Sequence, residues 1–471
     1  MNIIYIITDQ QRYDTINALG YPFMETPNID KLVKEGCTFS NCFAAGLSCA
    51  PSRASIFNCY YPHTTGIIRN ACSWKHSWIE LLLKKGYHTV NIGKMHTWPF
   101  NTTCGFKERY NVENKDRFLE GRYYFDEWDK ALASHGLVKQ QRSSYRTRED
   151  YGTSLGAFDW ELPEKMHADM FVGDMAVWWI KNHPISQPLF LQIGFPGPHP
   201  PYDPLPSFSS RYLSKDLPIN DVSIAELASL PPPLKAYRKH CTEVDHDSIL
   251  DQLFPTKQQR LRQRAYYLAN ITMIDQKIGE ILKALAEQGY LDDAVIVFTS
   301  DHGDCLGDHG LSQKWSGYDQ VVRVPAIVWK PGTIKAGQEV NGLCQQFDIS
   351  QTLLEMAEIQ IPASFESESV TENLLGKSQL GREYVFAEQG GDGNLTDAQM
   401  VTMIRSAKWK MIYYAGEKFG QLFDLEKDPS EAKNLWDDSS YDSERRSLHE
   451  ALLDWHIQSQ YRTRDWVSDY R

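Results

Sequence analysis

The chain has 471 residues, enough for a large core and for division into two subdomains, and its 42% apolar content with 24 tyrosines describes a globular protein. A formal charge of −12 argues against nucleic acid or an anionic membrane as partner, so an anionic substrate would have to be drawn by a local positive pocket. Nine cysteines, odd in number and without a Cys-x-x-Cys pair, predict a reduced, cytoplasmic setting.

The first residues, Met1-Asn2-Ile3-Ile4-Tyr5-Ile6-Ile7-Thr8-Asp9, have no basic leader and read as a buried strand rather than a signal peptide. No window approaches the ~18 uninterrupted apolar residues of a membrane span, so no membrane partner is expected. Further strands are predicted over 88–92, 188–195, 294–299 and 325–329, with helices near 28–35, 76–85, 167–182 and 258–288 between them. In the last helix Ile271, Ile274, Ile278, Ile281 and Leu285 step by three and four, and Gly289 is placed to end it. Continuous apolar strands alternating with helices predict an α/β fold, a large, mainly parallel (mixed) sheet sandwiched by helices. Residues 203–256, rich in Pro, Ser and charge and without a sustained period, read as an irregular excursion lining a substrate pocket. Beyond about 360 the pattern changes to short strands at 382–388, 400–405, 409–414 and 420–425 and a helix near 442–458. This predicts a catalytic domain over 1–365 and a smaller C-terminal subdomain of antiparallel strands plus a helix over 366–471. The Asn-x-Thr triplets at Asn101, Asn270 and Asn394 read as chance.

Ligands of such sheets gather beyond the carboxyl ends of the strands, where Asp9, Lys94, His199 and Asp301 all fall. Asp9 ends the first strand, and Phe298-Thr299-Ser300-Asp301-His302-Gly303-Asp304 delivers Asp301 and His302 together. Either acid alone would be a turn former. Two strand-end acids beside an imidazole make a site for a hard divalent cation. In Gly93-Lys94-Met95-His96, strand alternation would point Lys94 and His96 the same way. Pro198-His199-Pro200-Pro201 holds a histidine in a loop restricted on both sides.

The most informative stretch is Leu47-Ser48-Cys49-Ala50-Pro51-Ser52-Arg53-Ala54. Pro51 lacks an N–H that a first helical turn would leave unpaired, so Cys49 is predicted to enter a helix, facing free amides and the positive end of the dipole. Such a position attracts anions, and Arg53 adds a planar fork suited to a tetrahedral oxyanion. In isolation the segment would read as a buried thiol beside a capping serine.

Cys49-Ala50-Pro51-Ser52-Arg53 also fits the signature Cys-x-Pro-Ser-Arg, and from residue 2 to about 436 the chain resembles the type I, formylglycine-dependent sulfatases of the alkaline phosphatase superfamily, near the choline sulfatase and phosphonate monoester hydrolase branches. The resemblance implies an alkaline-phosphatase-like fold and a maturation partner, the formylglycine-generating enzyme, that oxidises Cys49 to formylglycine. It also implies one divalent cation, calcium with magnesium or manganese as alternatives, held by Asp9, Gln10, Asp301 and His302 and touched by position 49. Gln10 stands where many members have a second Asp, and His302 where many have Asn. By the family's Gly-Lys-x-His motif, Lys94 meets the sulfate and His96 the formylglycine hydroxyl; by its His-x-Pro motif, His199 meets the substrate. Lys314, ahead of Arg323-Val324-Pro325, matches the second sulfate-binding lysine. Asn70 is placed like an anion-contacting asparagine of choline sulfatases, and Trp98, Tyr202 and Tyr318 are candidates to line the substrate's alcohol. The ending Gln421-Leu422-Phe423-Asp424 and Asn434-Leu435 matches a common sulfatase C-terminus and reads as structural. The chain departs from the family at Asn58-Cys59-Tyr60, where members usually carry Thr-Gly-Arg.

The implied activity is hydrolysis of a sulfate monoester, from a saccharide or a small organic sulfate. Arg53, Lys94, Lys314 and the cation would spread charge on the sulfuryl oxygens, His199, alone or with Lys314, would protonate the leaving oxygen, and His96 would take the proton that releases sulfate. A phosphonate monoester or phosphodiester hydrolase is the alternative within the superfamily; its phosphonate branch carries hydroxyl residues in place of Lys94 and His96, which favours sulfate. A non-catalytic binder of sulfated ligands is the alternative from another class.

Overall fold

Alternate side chains of the first strand, Asn2–Asp9, go to opposite cores: Ile4 and Ile6 to one face, Ile3, Tyr5 and Ile7 to the other. A strand covered on both faces has to be continuously apolar, which is how it reads in the sequence. In this computed structural model, which describes residues 1–117, 126–184, 186–379 and 381–470, that strand lies inside an eight-stranded sheet. The spatial order is Glu108–Asn111, His88–Gly93, Leu189–Pro198, Asn2–Asp9, Ala294–Ser300, Ala326–Trp329, Cys37–Phe39 and Gln338–Val340. Every pairing is parallel except the two made by Ala326–Trp329, so the sheet is mainly parallel and mixed, as expected.

Helices Ala168–Asn182 and Lys257–Glu287 cover one face; Cys49–Asn58, Ile79–Lys85 and Gln346–Met356 cover the other. Lys257–Glu287 starts at a Thr256/Gln259 capping box and gives way to Gly289 at φ +74, the left-handed exit that glycine takes without strain. The helix Cys49–Asn58 ends on Cys59 at φ 62, so the departure from Thr-Gly-Arg puts a cysteine in the left-handed position that glycine usually fills.

Residues 203–256 correct the sequence reading. They hold three helices, Pro206–Leu213, Ile224–Ser229 and Pro232–Glu243. Each buries at most four residues, such as Phe208, Ser209 and Tyr212 in the first, too few for a period to stand out from the surrounding Pro and Ser.

The strands Val385–Gly390, Met400–Arg405, Trp409–Tyr414 and Gly420–Asp424 form an antiparallel sheet in that order, followed by the helix Asp442–Tyr470, longer than predicted. This sheet shares its cores with the rest of the chain: Phe43 and Leu47 pack with Val385, Met403 and Ile412, while Tyr61 and Phe347 pack with Phe386, Leu422 and Leu448. Glu388 N donates to Ala45 O and Leu47 N to Glu388 O, so the sheet's first strand braces the loop that leads into Cys49. Among the described residues, no helix is long and apolar enough to cross a membrane.

Candidate active site

Asp9, Lys94, His199 and Asp301 follow four adjacent parallel strands and enter one crevice at their carboxyl ends. Gly93, at φ +91, lets its strand turn out there; a Cβ would meet Gly194 O at 2.0 Å. Cys49 opens its helix as predicted, after an extended Ser48 whose Oγ donates to Gln389 Oε1 at 2.7 Å instead of capping the helix.

The Cys49 thiol is 1% exposed. Its Sγ lies 3.1 Å from Lys314 Nζ, 3.1 Å from His302 Nε2 and 3.7 Å from Asp9 Oδ1. Burial alone would push the thiol pKa up; Lys314, His302 and Lys94 outweigh it and bring it well below its ordinary value. Lys314 Nζ at 3.1 Å gives position 49 a positive neighbour in direct contact. Lys94 Nζ pairs with Asp9 Oδ2 at 2.7 Å. Burial and the neighbouring Cys49 raise the Asp9 pKa, but Lys94, His199 and Arg53 prevail and hold it below the usual carboxylate range. Burial also opposes the Lys314 ammonium, which Cys49, Asp9 and Asp247 keep charged.

His302 Nδ1 lies 2.8 Å from Gly303 O, and because a carbonyl only accepts, that nitrogen carries the proton and Nε2 is the one turned toward Cys49. Ligand atoms of Asp9, Cys49, Asp301 and His302 lie within 4.8 Å of one another, all buried. Two buried carboxylates with an imidazole nitrogen held in this tautomer suit a divalent cation. Gln10, predicted as a ligand, turns Oε1 to Lys314 Nζ at 2.9 Å while its Nε2 donates to Asp304 Oδ2 at 2.6 Å. Tyr202 OH donates to the same Asp304 oxygen at 2.7 Å, so Asp304 and Tyr202 decide which end of Gln10 faces the cluster. Gln10 sits at φ 70, its N–H on Asp301 Oδ1 at 3.0 Å and its carbonyl accepting from Tyr267 OH at 2.6 Å, a strained residue held by its surroundings.

Arg53 does not face an oxyanion, which corrects the sequence reading. Its Nε meets Asp301 Oδ2 at 2.6 Å, Nη2 meets Asp9 Oδ2 at 3.2 Å and Nη1 meets Lys94 O at 2.9 Å, all fully buried. One turn along the helix from Cys49, the fork is consumed in spanning the two acids, so Arg53 is a positioning residue.

A cavity of about 280 Å³ opens above Cys49, lined by Lys94, His96, His199 and Lys314, with Asn70 and Trp98 also on its wall. Tyr202 and Tyr318 do not reach it. Both are buried, Tyr318 stacking on His309 with ring centroids 3.7 Å apart. His96 does line the cavity with Lys94, but not through strand alternation: the strand ends at Gly93, and His96 adopts a left-handed turn, φ 65. Glu113 accepts from Met95 N at 3.4 Å and from His96 N at 3.1 Å. The His96 Nδ1 is buried without a hydrogen-bond partner among the described residues.

His199 Nδ1 donates to Pro200 O at 2.7 Å, and its Nε2 lies 3.6 Å from Asp247 Oδ2. Sequence reasoning missed Asp247. It comes from the excursion on two consecutive left-handed residues, Asp247 at φ 51 and Ser248 at φ 60, and pairs with Arg117 Nη1 at 2.9 Å. The usable signal was a His246-Asp247 dipeptide in the segment expected to line the pocket; Arg117 and Arg142 carry none. Lys94, Lys314, Arg117 and Arg142 outnumber Glu113 and Asp247 in the lining, which supplies the local positive pocket an acidic protein needs for an anion.

A family model described as Sulfatase matches residues 1–359, and one described as N-sulphoglucosamine sulphohydrolase, C-terminal, matches residues 307–458. The arylsulfatase of Clostridium perfringens is 30% identical over 475 residues, covering 96% of this chain and 93% of its own. The choline-sulfatase of Rhizobium meliloti is 27% identical, covering 92% of this chain and 82% of its own. In fold, the phosphonate monoester hydrolase of Agrobacterium radiobacter is similar with a TM-score of 0.81 at 24% identity, covering 97% of this chain and 96% of that one. Because the Sulfatase match takes in every strand-end acid, both lysines and Cys49, this chain belongs to the sulfatase family of the alkaline phosphatase superfamily, the sulfuric ester hydrolases.

Proposed function

We propose that the protein hydrolyses the sulfate monoester of a saccharide or small organic alcohol, with formylglycine made from Cys49 as nucleophile and a divalent cation, calcium by preference, at Asp9, Gln10, Asp301 and His302. The observation that carries this reading is the convergence on one buried position: Lys314 Nζ lies 3.1 Å from Cys49 Sγ, and Lys94 Nζ is paired to Asp9 at 2.7 Å, beneath a cavity that His96 and His199 line. An aldehyde hydrate at position 49 would supply one hydroxyl to attack sulfur and a second to expel sulfate, and the cation would acidify the first and neutralise developing charge.

The chain's own residues do the rest. Lys314 and Lys94 hold the sulfuryl oxygens from fixed, buried positions, so nothing need reorganise as charge develops. His199, its Nδ1 tied to Pro200, turns Nε2 toward the leaving oxygen, and Asp247 orients the ring. His96, with an unpartnered Nδ1, accepts the proton released at position 49. Since Cys49 is 1% exposed, a formylglycine-generating enzyme would have to act before the fold closes over it. A saccharide is favoured by the N-acetylglucosamine-6-O-sulfatase of Bacteroides thetaiotaomicron, 23% identical over 98% of this chain, and by Trp98, 38% exposed, which offers a ring face at the cavity.

The test is kcat/KM on an aryl sulfate and on the phenylphosphonate ester of the same phenol, followed by sulfated monosaccharides, glycan fragments and choline sulfate. A higher value for sulfate supports the reading; a higher value for phosphonate replaces it with the alternative, against the expectation from Lys94 and His96. Turnover of neither would leave a binder of sulfated ligands.

A further inference from the structure

We propose that His63, Glu388 and His456 form a second metal site, of the two-imidazole, one-carboxylate kind that holds zinc. The three residues come from the short helix Pro62–Thr65, the strand Val385–Gly390 and the closing helix Asp442–Tyr470, and none belongs to the catalytic cavity. Their ligand atoms lie within 4.8 Å of one another.

The hydrogen bonds around His63 leave its Nδ1 facing a carboxylate oxygen, a place for a cation. Ser459 Oγ donates its one proton to Glu366 Oε1 and therefore accepts from His63 Nε2 at 2.6 Å. With Nε2 protonated, the Nδ1 of a neutral ring presents a lone pair, and it lies 2.7 Å from Glu388 Oε2. Two acceptors at that distance need a positive body between or beside them, either a second ring proton or a metal ion. Glu388 is fully buried, its Oε1 has no hydrogen-bond partner among the described residues, and His456 Nε2 faces that oxygen at 3.9 Å. The 2.7 Å from His63 Nδ1 to Glu388 Oε2 and the 3.9 Å from His456 Nε2 to Glu388 Oε1 fall on either side of the ~3.3 Å between ligands held ~2.0–2.1 Å from a tetrahedral zinc ion.

The surroundings fit as well. Glu366 and Ser459 form an outer shell that fixes the His63 tautomer so that Nδ1 is the coordinating nitrogen. His63 and His456 side chains are 19% and 34% exposed, which leaves an entry route and room for a water as fourth ligand. Because Glu388 N donates to Ala45 O at 2.8 Å, an ion here would clamp the closing helix to the strand that braces the loop into Cys49. Its role is structural.

The test is metal titration of the whole protein with its catalytic cation in place, using Zn2+ and, as a spectroscopic probe, Co2+. The wild type should take up one equivalent beyond the catalytic site, with the visible Co2+ bands of a four- or five-coordinate site, and Zn2+ should raise its Tm. His456→Ala and Glu388→Gln should each weaken that equivalent by at least the ~10–100-fold that loss of an outer-shell partner costs. Asp9→Asn, confined to the catalytic cluster, should keep it. His456→Ala should fold and retain sulfate ester turnover, since His456 is partly exposed and outside the cavity. No extra uptake by the wild type, or uptake and Tm response unchanged in His456→Ala, overturns the proposal and leaves His63 and Glu388 as a proton-bridged ion pair.

Discussion

At the floor of the cavity, Asp9, Cys49, Lys94 and Asp301 sit on strand ends or a helix start and Lys314 on a buried bend; all five are 3% exposed or less and are paired among themselves or through Arg53. Around its mouth Asn70, Trp98 and Arg117 ride on loops, with Trp98 38% exposed and the Arg117 side chain 48% exposed. The floor is a closed set of charges in which removing one partner leaves others buried and uncompensated. At the mouth Arg117 is tied to Asp247 and Asp116, but Asn70 and Trp98 are uncharged and leave no buried charge behind when changed. Chemistry should therefore be lost steeply and together at the floor, whereas changes at the mouth should alter the preferred alcohol and leave the chemical step alone.

The largest effect tests the floor at its centre. Cys49→Ala and Cys49→Ser should each reduce turnover by at least ~10⁴-fold, the scale of losing a nucleophile, while the protein still folds cooperatively, because no large apolar volume is removed and Lys314 keeps Gln10 Oε1 at 2.9 Å. Near-normal multiple turnover by Cys49→Ser would break the two-hydroxyl mechanism. Asp301→Ala, or exhaustive chelation, should cost at least ~10³-fold in turnover. The substitution, unlike chelation, also strips Arg53 of its 2.6 Å partner, and denaturant unfolding should show a loss of about 3–5 kcal/mol.

Lys94→Ala should lower kcat/KM for an aryl sulfate by ~10²–10³-fold, and His96→Ala should fall in the same range with the loss in kcat, as for removal of one preorganised contact. Asp247→Asn sharpens the boundary between floor and mouth. Acting through His199, it should slow alkyl sulfates by up to ~10²-fold and spare aryl sulfates with good leaving groups, which steady-state rates on the two classes would separate. The smallest effect belongs to the mouth. Trp98→Ala should raise KM for a sulfated saccharide by about 3–10-fold with kcat unchanged, matching the ~0.5–1.5 kcal/mol of an aromatic contact.

The same division explains what could be read from the sequence. The central strands were legible because burial on both faces demands continuous apolar runs such as Ile3 to Ile7 and Val295 to Phe298. Strand ends then brought Asp9, Lys94, His199 and Asp301 into one crevice without any knowledge of contacts. Pairing was not legible. Nothing local in Arg53 says that its fork is taken up by two acids distant in sequence, and strand alternation placed His96 on the correct side through a turn the strand does not make. The short helices of 203–256 bury too little to impose a period, so Asp247 could be anticipated as a segment but not as a residue. Glu388 gave no sign in the sequence, because its partners His63 and His456 come from opposite ends of the chain.

The central claim is that catalysis runs through a modified residue 49. Its most direct test is the mass of the peptide carrying residues 49–53, measured on preparations of differing specific activity toward an aryl sulfate. The account predicts a peptide in which CH2SH has become CHO, in a fraction that rises in proportion to turnover. Full turnover by protein whose peptide carries only the unmodified Cys49 thiol would contradict it.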